Sequence, residues 1–142
     1  VSDCEAILSA ANVATRILGF VNAPTLQQKT VAGCLEEEVD LAFYDRNRKA
    51  LYQGLIEAGF SCTKPDGAFY LFVRSPLEKE TDFCELAKKH HILMVPGSSF
   101  GSPGFVRLAY CVAYETITKA LPEFQKLAEE IKKLKSGGNQ KR

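Results

Sequence analysis

The chain has 142 residues, a length that suits one compact domain, and 46% of them are hydrophobic, which is enough to form a core. Charged residues make up 25% and the formal net charge is +1, a balance that argues against disorder and against a nucleic-acid-binding surface. No apolar run approaches the roughly 20 residues that span a bilayer, and no secretory leader is recognisable. We therefore expect a cytoplasmic protein that binds neither nucleic acid nor membrane.

The cysteines and histidines do not indicate a metal site. The five cysteines are odd in number and no two form a CxxC pair, so we expect them to act as small hydrophobic residues in a reducing cytosol. The two histidines, His90 and His91, are adjacent at a predicted helix end, and adjacent helical residues do not face one another. We expect no bound metal.

Three helices are predicted in the first part of the chain, at residues 6–18, 26–35 and 37–58. Apolar residues recur there at helical spacing. Thr25 is a favourable N-cap for the second helix. Gly59 lies where the third helix would need a left-handed C-terminal residue.

The period then changes to that of β-strands. Residues 60–63 and 68–73 are rich in aromatic and β-branched side chains, and Lys64-Pro65-Asp66-Gly67 separates them. Proline presets φ and glycine accepts a positive φ, so this segment predicts a turn with Gly67 in the positive-φ position. The two runs are therefore predicted to form a hairpin or a near-hairpin.

The remaining elements predict an α+β fold. A helix at residues 83–90 is followed by strands at 92–96 and 105–112, and a long helix at 115–134 precedes a disordered tail at 136–142. Three helices, a strand pair, a helix, two strands and a helix give a small, mostly antiparallel sheet covered by helices.

A candidate binding residue lies in the last predicted strand. Arg107 interrupts an otherwise apolar run, after a glycine-rich loop at residues 97–104. A buried guanidinium needs a partner, and its fork of N–H groups can hold a carboxylate through two parallel hydrogen bonds. The residues alone leave three interpretations open: a carboxylate clamp, a structural ion pair with an acidic residue, or a strand-edge arginine that reaches solvent.

Four short segments occur together in a recognisable order. They are Gly19-Phe20-Val21-Asn22-Ala23-Pro24, Gly67-Ala68-Phe69-Tyr70, Val95-Pro96-Gly97-Ser98-Ser99-Phe100-Gly101 and Val106-Arg107-Leu108-Ala109-Tyr110. Together with the helix around Tyr44-Asp45-Arg46-Asn47-Arg48, these segments resemble the C-terminal part of class I/II aminotransferases, the fold-type I pyridoxal-phosphate enzymes, and in particular their aspartate-aminotransferase-like branch. The resemblance covers about residues 10–134.

The resemblance implies roles for five residues. Arg107 matches the arginine that binds the substrate α-carboxylate, which favours the clamp over the other two interpretations. Asn22 lies in a segment that resembles one near the active site at a subunit interface. Phe69, Tyr70 and Phe100 would line the substrate side of the cleft, although core or hairpin packing remains the alternative for Phe69 and Tyr70.

The resemblance also implies what the chain lacks. The family attaches its pyridoxal phosphate to a lysine in a Ser-x-x-Lys stretch of the large domain, and none of the 12 lysines here has that context. We therefore expect residues 1–135 to be a C-terminal small domain, in which residues 1–24 are a link and helix directed toward the missing large domain. The chain should hold no cofactor, contain no catalytic residue and be inactive alone.

The resemblance also implies a function for the whole protein. It would move an amino group from an amino acid to a 2-oxo acid, with pyridoxal phosphate as cofactor and as a homodimer. The first residue is Val1 rather than Met, which favours a piece of a longer protein. The alternatives are a stand-alone, non-catalytic module that binds a carboxylate or a protein partner, and a domain of a related pyridoxal-phosphate lyase or C–C bond-forming synthase.

Overall fold

The computed structural model of the protein describes residues 3–19 and 21–138. The chain forms two compact units, Val1–Val39 and Asp40–Arg142.

The first unit is helical and has no core. Its helices are α1, Cys4–Ile17, and α2, Thr25–Gly33, and no described residue of the unit is buried. Thr25 is the first helical residue of α2, and Pro24 occupies the N-cap position predicted for Thr25. Phe20, part of the predicted link, lies outside the described residues. The large apolar side chains of the unit are exposed: Ile7, Leu8, Val13, Ile17, Leu18, Val21, Leu26, Val31, Leu35 and Val39.

The second unit contains three helices, three strands and a short 3₁₀ turn, which confirms the α+β class. The first helix starts four residues later than predicted because the Asp40 side chain caps it, accepting a hydrogen bond of 2.9 Å from the Phe43 amide. In chain order the elements are α3, Leu41–Glu57; β1, Tyr70–Arg74; α4, Glu80–Lys88; β2, Val95–Pro96; the 3₁₀ turn, Gly97–Phe100; β3, Phe105–Ala109; and α5, Tyr114–Gly138.

The sheet has the order β1-β3-β2, and both strand pairs are antiparallel, as predicted. Successive side chains of a strand point to opposite faces. One face is buried and contributes to a core that also includes side chains from the three helices of this unit. The other face is only partly covered and carries Tyr70, Phe72 and Arg107. The buried face is formed by Leu71, Val73, Val106 and Leu108.

Only part of the predicted hairpin forms in the structure. Residues 60–63 contribute an isolated bridge between Cys62 and Val73 rather than a strand. The positive φ predicted for Gly67 falls on Ala68, at 59°. The reason is a tertiary contact: the Tyr110 hydroxyl donates to the carbonyl oxygens of Gly67, at 3.2 Å, and Ala68, at 2.8 Å, and fixes the turn from outside.

Other boundaries also differ from the predictions. The strand predicted at 92–96 is limited to Val95–Pro96, and the last strand ends at Ala109 rather than at residue 112. Helix α5 continues through Gly138, so residues 136–138 of the predicted disordered tail are helical. The remainder of that tail lies outside the described residues.

Candidate functional site

Arg107 lies at the centre of the partly covered sheet face. It occupies the middle of β3, opposite Phe72 of β1 and Val95 of β2, and is half-buried. Its guanidinium carbon Cζ lies over two aromatic rings, 4.0 Å from the ring centroid of Tyr70 and 3.8 Å from that of Phe100. Both distances are those of close cation–π contacts.

The guanidinium has no internal anionic partner. In residues 3–19 and 21–138, no carboxylate lies within 4.0 Å of Arg107, so the structural ion pair is not observed. Nor is Arg107 at a sheet edge, because β3 is the central strand. A guanidinium has five N–H donors and can hold a carboxylate with two parallel hydrogen bonds. The arrangement is therefore chemically suited to bind a carboxylate.

The structure brings four of the five predicted site residues together. The Phe69 and Tyr70 rings contact each other with centroids 4.7 Å apart, so both lie on the Arg107 side of the sheet rather than in the core. Phe69 and Phe100 are 43% and 44% exposed. Asn22 is exposed and belongs to the first unit.

The glycine-rich loop presents Phe100 to Arg107. Gly97 starts the 3₁₀ turn, Phe100 ends it, and Gly101 follows in the left-handed conformation with φ of 71°. Gly97 is buried, and a Cβ atom there would lie 2.3 Å from the Ser102 carbonyl oxygen and 2.6 Å from that of Phe105. The close backbone approach requires glycine at this position.

Gly97→Ala is therefore expected to destabilise the fold by about 1–3 kcal/mol, because the new methyl group meets backbone atoms that cannot rotate away. Urea unfolding followed by circular dichroism measures the change. The matched control is Gly67→Ala, where a Cβ meets nothing within 4 Å and stability should stay equal or rise by up to about 1 kcal/mol. Equal effects of the two substitutions would contradict the packing argument.

Glu80 ties the loop to α4, a role that sequence reasoning missed. Its carboxylate accepts hydrogen bonds from the Gly104 amide, at 3.3 Å, and from Ser98. The pKa of Glu80 is lowered, first by a hydrogen bond from its own backbone amide and then by Ser98. An acidic residue in the first turn of a helix was the available signal, because such residues accept from free amides.

Asn47 is a second residue that sequence reasoning missed. It is fully buried on α3, and its Nδ2 donates to the carbonyl oxygens of Tyr110, at 3.0 Å, and Val112, at 2.7 Å. These bonds hold the chain where it leaves β3. The available signal was its position, four residues after Phe43 and four before Leu51, on the face of α3 that meets the core.

The cysteines and histidines form no second site. All five cysteines are free; Cys84 is buried, Cys62 is half-buried and the other three are exposed, and burial raises the pKa of both Cys62 and Cys84. His90 Nε2 lies 2.7 Å from a carboxylate oxygen of Glu130 on α5. Among the described residues, no three His, Cys, Asp or Glu side chains are grouped as metal ligands, and no helix is long and apolar enough to cross a membrane.

Comparison with known proteins places this chain in a family. The chain matches the family described as aminotransferase class I and II over residues 1–124. It is 39% identical to an aspartate aminotransferase of Pyrococcus abyssi over 97 residues, which cover 63% of this chain and 24% of that protein. It is 32% identical to the aspartate aminotransferase of Thermotoga maritima over 127 residues, 84% of this chain and 33% of that protein.

Solved structures agree with this assignment. An aminotransferase from Eubacterium rectale shares 43% identity with a TM-score of 0.75, covering 83% of this chain and 30% of that one. A mutant Thermus thermophilus aspartate aminotransferase in complex with tryptophan shares 29% identity with a TM-score of 0.75, covering 87% and 34%. The chain thus spans between a quarter and a third of the length of these relatives. It belongs to the class I and II aminotransferase family.

Proposed function

We propose that this chain is the C-terminal small domain of a pyridoxal-phosphate-dependent aminotransferase and supplies the site that binds the substrate α-carboxylate. One observation carries the proposal: the half-buried guanidinium of Arg107 lies against two aromatic rings and, within the described residues, pairs with no carboxylate. Family membership supports it, because the substrates proposed here, an amino acid and a 2-oxo acid, each carry a carboxylate next to the reacting carbon.

Arg107 acts by orientation. A bidentate grip fixes two atoms of the substrate and so limits rotation about the bond to the reacting carbon, which lowers the entropic cost of reaching the reactive geometry. The rings of Phe69, Tyr70 and Phe100 place apolar surface next to the carboxylate that Arg107 binds. Once the cleft is closed by the rest of the protein, this apolar surface excludes water and strengthens the ionic hydrogen bonds.

The residues described here do not fit a covalently held cofactor. A lysine that forms a Schiff base is normally desolvated, which makes its amine nucleophilic. Every lysine of the chain except Lys141 lies in the described part, and each of these is exposed. We propose that the remainder of the whole protein binds pyridoxal phosphate and supplies the catalytic groups, so that this chain is inactive alone.

The first unit is proposed to dock on that remainder. Its helices expose large apolar side chains and bury none. Helix α1 is amphipathic, and an amphipathic helix usually covers its apolar side with another surface. The proposal also places Asn22 near the subunit interface of a cytoplasmic homodimer.

The test compares the full-length protein with this chain. Both are incubated with pyridoxal phosphate, 2-oxoglutarate and either aspartate or phenylalanine, and formation of the new amino acid is followed. The full-length protein should bind the cofactor, seen by its absorbance, and transfer the amino group, whereas the chain alone should do neither. A cofactor-loaded full-length protein without transfer activity would overturn the proposal, and so would a chain active by itself.

A further inference from the structure

The two rings against Arg107 belong to independent parts of the fold. Tyr70 begins β1, whereas Phe100 ends the 3₁₀ turn. Among the described aromatic pairs, these two rings do not contact each other, although each lies within about 4 Å of the same guanidinium carbon. The guanidinium is therefore contacted by two rings that separate parts of the fold supply, and within the described residues its N–H groups donate to no protein acceptor.

We propose that Tyr70 and Phe100 are positioning residues that make this site selective for a planar carboxylate over a tetrahedral oxyanion of equal charge. This inference rests on the proposed function, since it assumes that Arg107 binds the substrate carboxylate. The rings hold the guanidinium in one orientation, and the ligand binds its N–H groups.

Each ring is fixed by contacts that do not involve Arg107. Tyr70 pairs with Ala109 in the sheet, and its ring also rests on that of Phe69. Phe100 is fixed by the turn around Gly97, where the backbone approaches itself too closely for a side chain. The site is thus organised before a ligand arrives, and little side-chain entropy is lost when it binds.

The selectivity follows from the shape and charge of the ring faces. The two oxygens of a carboxylate lie in one plane and can extend the plane of the guanidinium fork. A sulfonate that makes the same two hydrogen bonds must direct its third oxygen out of that plane, toward a ring. Aromatic faces carry partial negative charge and repel an anionic oxygen.

The test uses two monoanions with the same aromatic tail, 3-phenylpropionate and 2-phenylethanesulfonate, as competitive inhibitors of the cofactor-loaded full-length protein. The wild type should bind the carboxylate more tightly. Tyr70→Leu and Phe100→Leu should each weaken carboxylate binding by roughly 2- to 10-fold, because a guanidinium that the ring no longer holds loses side-chain freedom when the ligand binds, and each should reduce the carboxylate-to-sulfonate preference.

Two conservative variants separate positioning from mere packing. Tyr70→Phe and Phe100→Tyr keep a ring over Arg107 and should retain the wild-type preference. Neither residue belongs to the buried core, so the leucine variants should fold. Circular dichroism checks this, and Tyr70→Met and Phe100→Met replace any variant that does not.

Arg107→Ala distinguishes the two proposals. If it abolishes carboxylate inhibition while the leucine variants keep the wild-type preference, the ring inference is wrong and the clamp stands. If it leaves carboxylate inhibition unchanged, the proposed function of Arg107 is wrong as well. A preference lost in the leucine variants and kept in the conservative ones supports the inference.

Discussion

Arg107→Ala in the full-length protein is expected to lower kcat/KM for an amino-acid substrate by roughly 30- to 4,000-fold. This corresponds to a loss of about 2–5 kcal/mol of transition-state stabilisation, as found when one partner of a buried charge pair is removed. The loss arises because the substrate carboxylate enters the cleft without its counter-charge. Steady-state kinetics with aspartate and phenylalanine measure it.

Two controls accompany this variant. The cofactor absorbance should match that of the wild type, since we propose that the remainder of the protein holds the cofactor. Arg107→Lys should recover only part of the activity, because an ammonium lacks the planar fork for two parallel hydrogen bonds. Unchanged kinetics in Arg107→Ala would remove Arg107 from the substrate site.

Asn47→Leu is expected to destabilise the fold by about 1–4 kcal/mol, because the buried carbonyl oxygen of Tyr110 loses its donor, at a cost of roughly 1–3 kcal/mol, and the partly buried one of Val112 loses its donor at a smaller cost. Urea unfolding of the chain measures the change. The matched control on the same helix is Gln53→Leu, which removes an exposed amide and should alter stability by no more than about 0.5 kcal/mol. Similar losses in the two variants would show that Asn47 has no special structural role.

The local elements were predictable where local chemistry decides them. Gly59 ends α3 with φ of 91°, as predicted, and the Phe60 amide bonds back to Leu55 as expected for such a cap. The turn itself was predicted, but the position of its positive φ, on Ala68 rather than Gly67, was not, because the Ala68 carbonyl oxygen accepts from the hydroxyl of Tyr110, 42 residues further along the chain. Neighbouring residues carry no signal of such a contact.

The site was predictable only where the local sequence carries a signal. A lone arginine in an apolar strand indicated Arg107 from the residues alone, whereas its ring partners followed only from the resemblance. Asn47 shares the helical spacing of its apolar neighbours, but an amide side chain at such a position is expected to face solvent unless its acceptors are known. Those acceptors lie more than 60 residues away. Asn22 as a site residue stays a prediction.

The exposed apolar side chains of the first unit also affect how the separated chain behaves in solution. With a formal net charge of +1, copies of the chain repel one another only weakly near neutral pH. Exposed Leu and Ile side chains on α1 and α2 provide surfaces on which those copies can associate. We therefore expect the isolated chain to have low colloidal stability, because of the same residues that we propose dock on the rest of the protein.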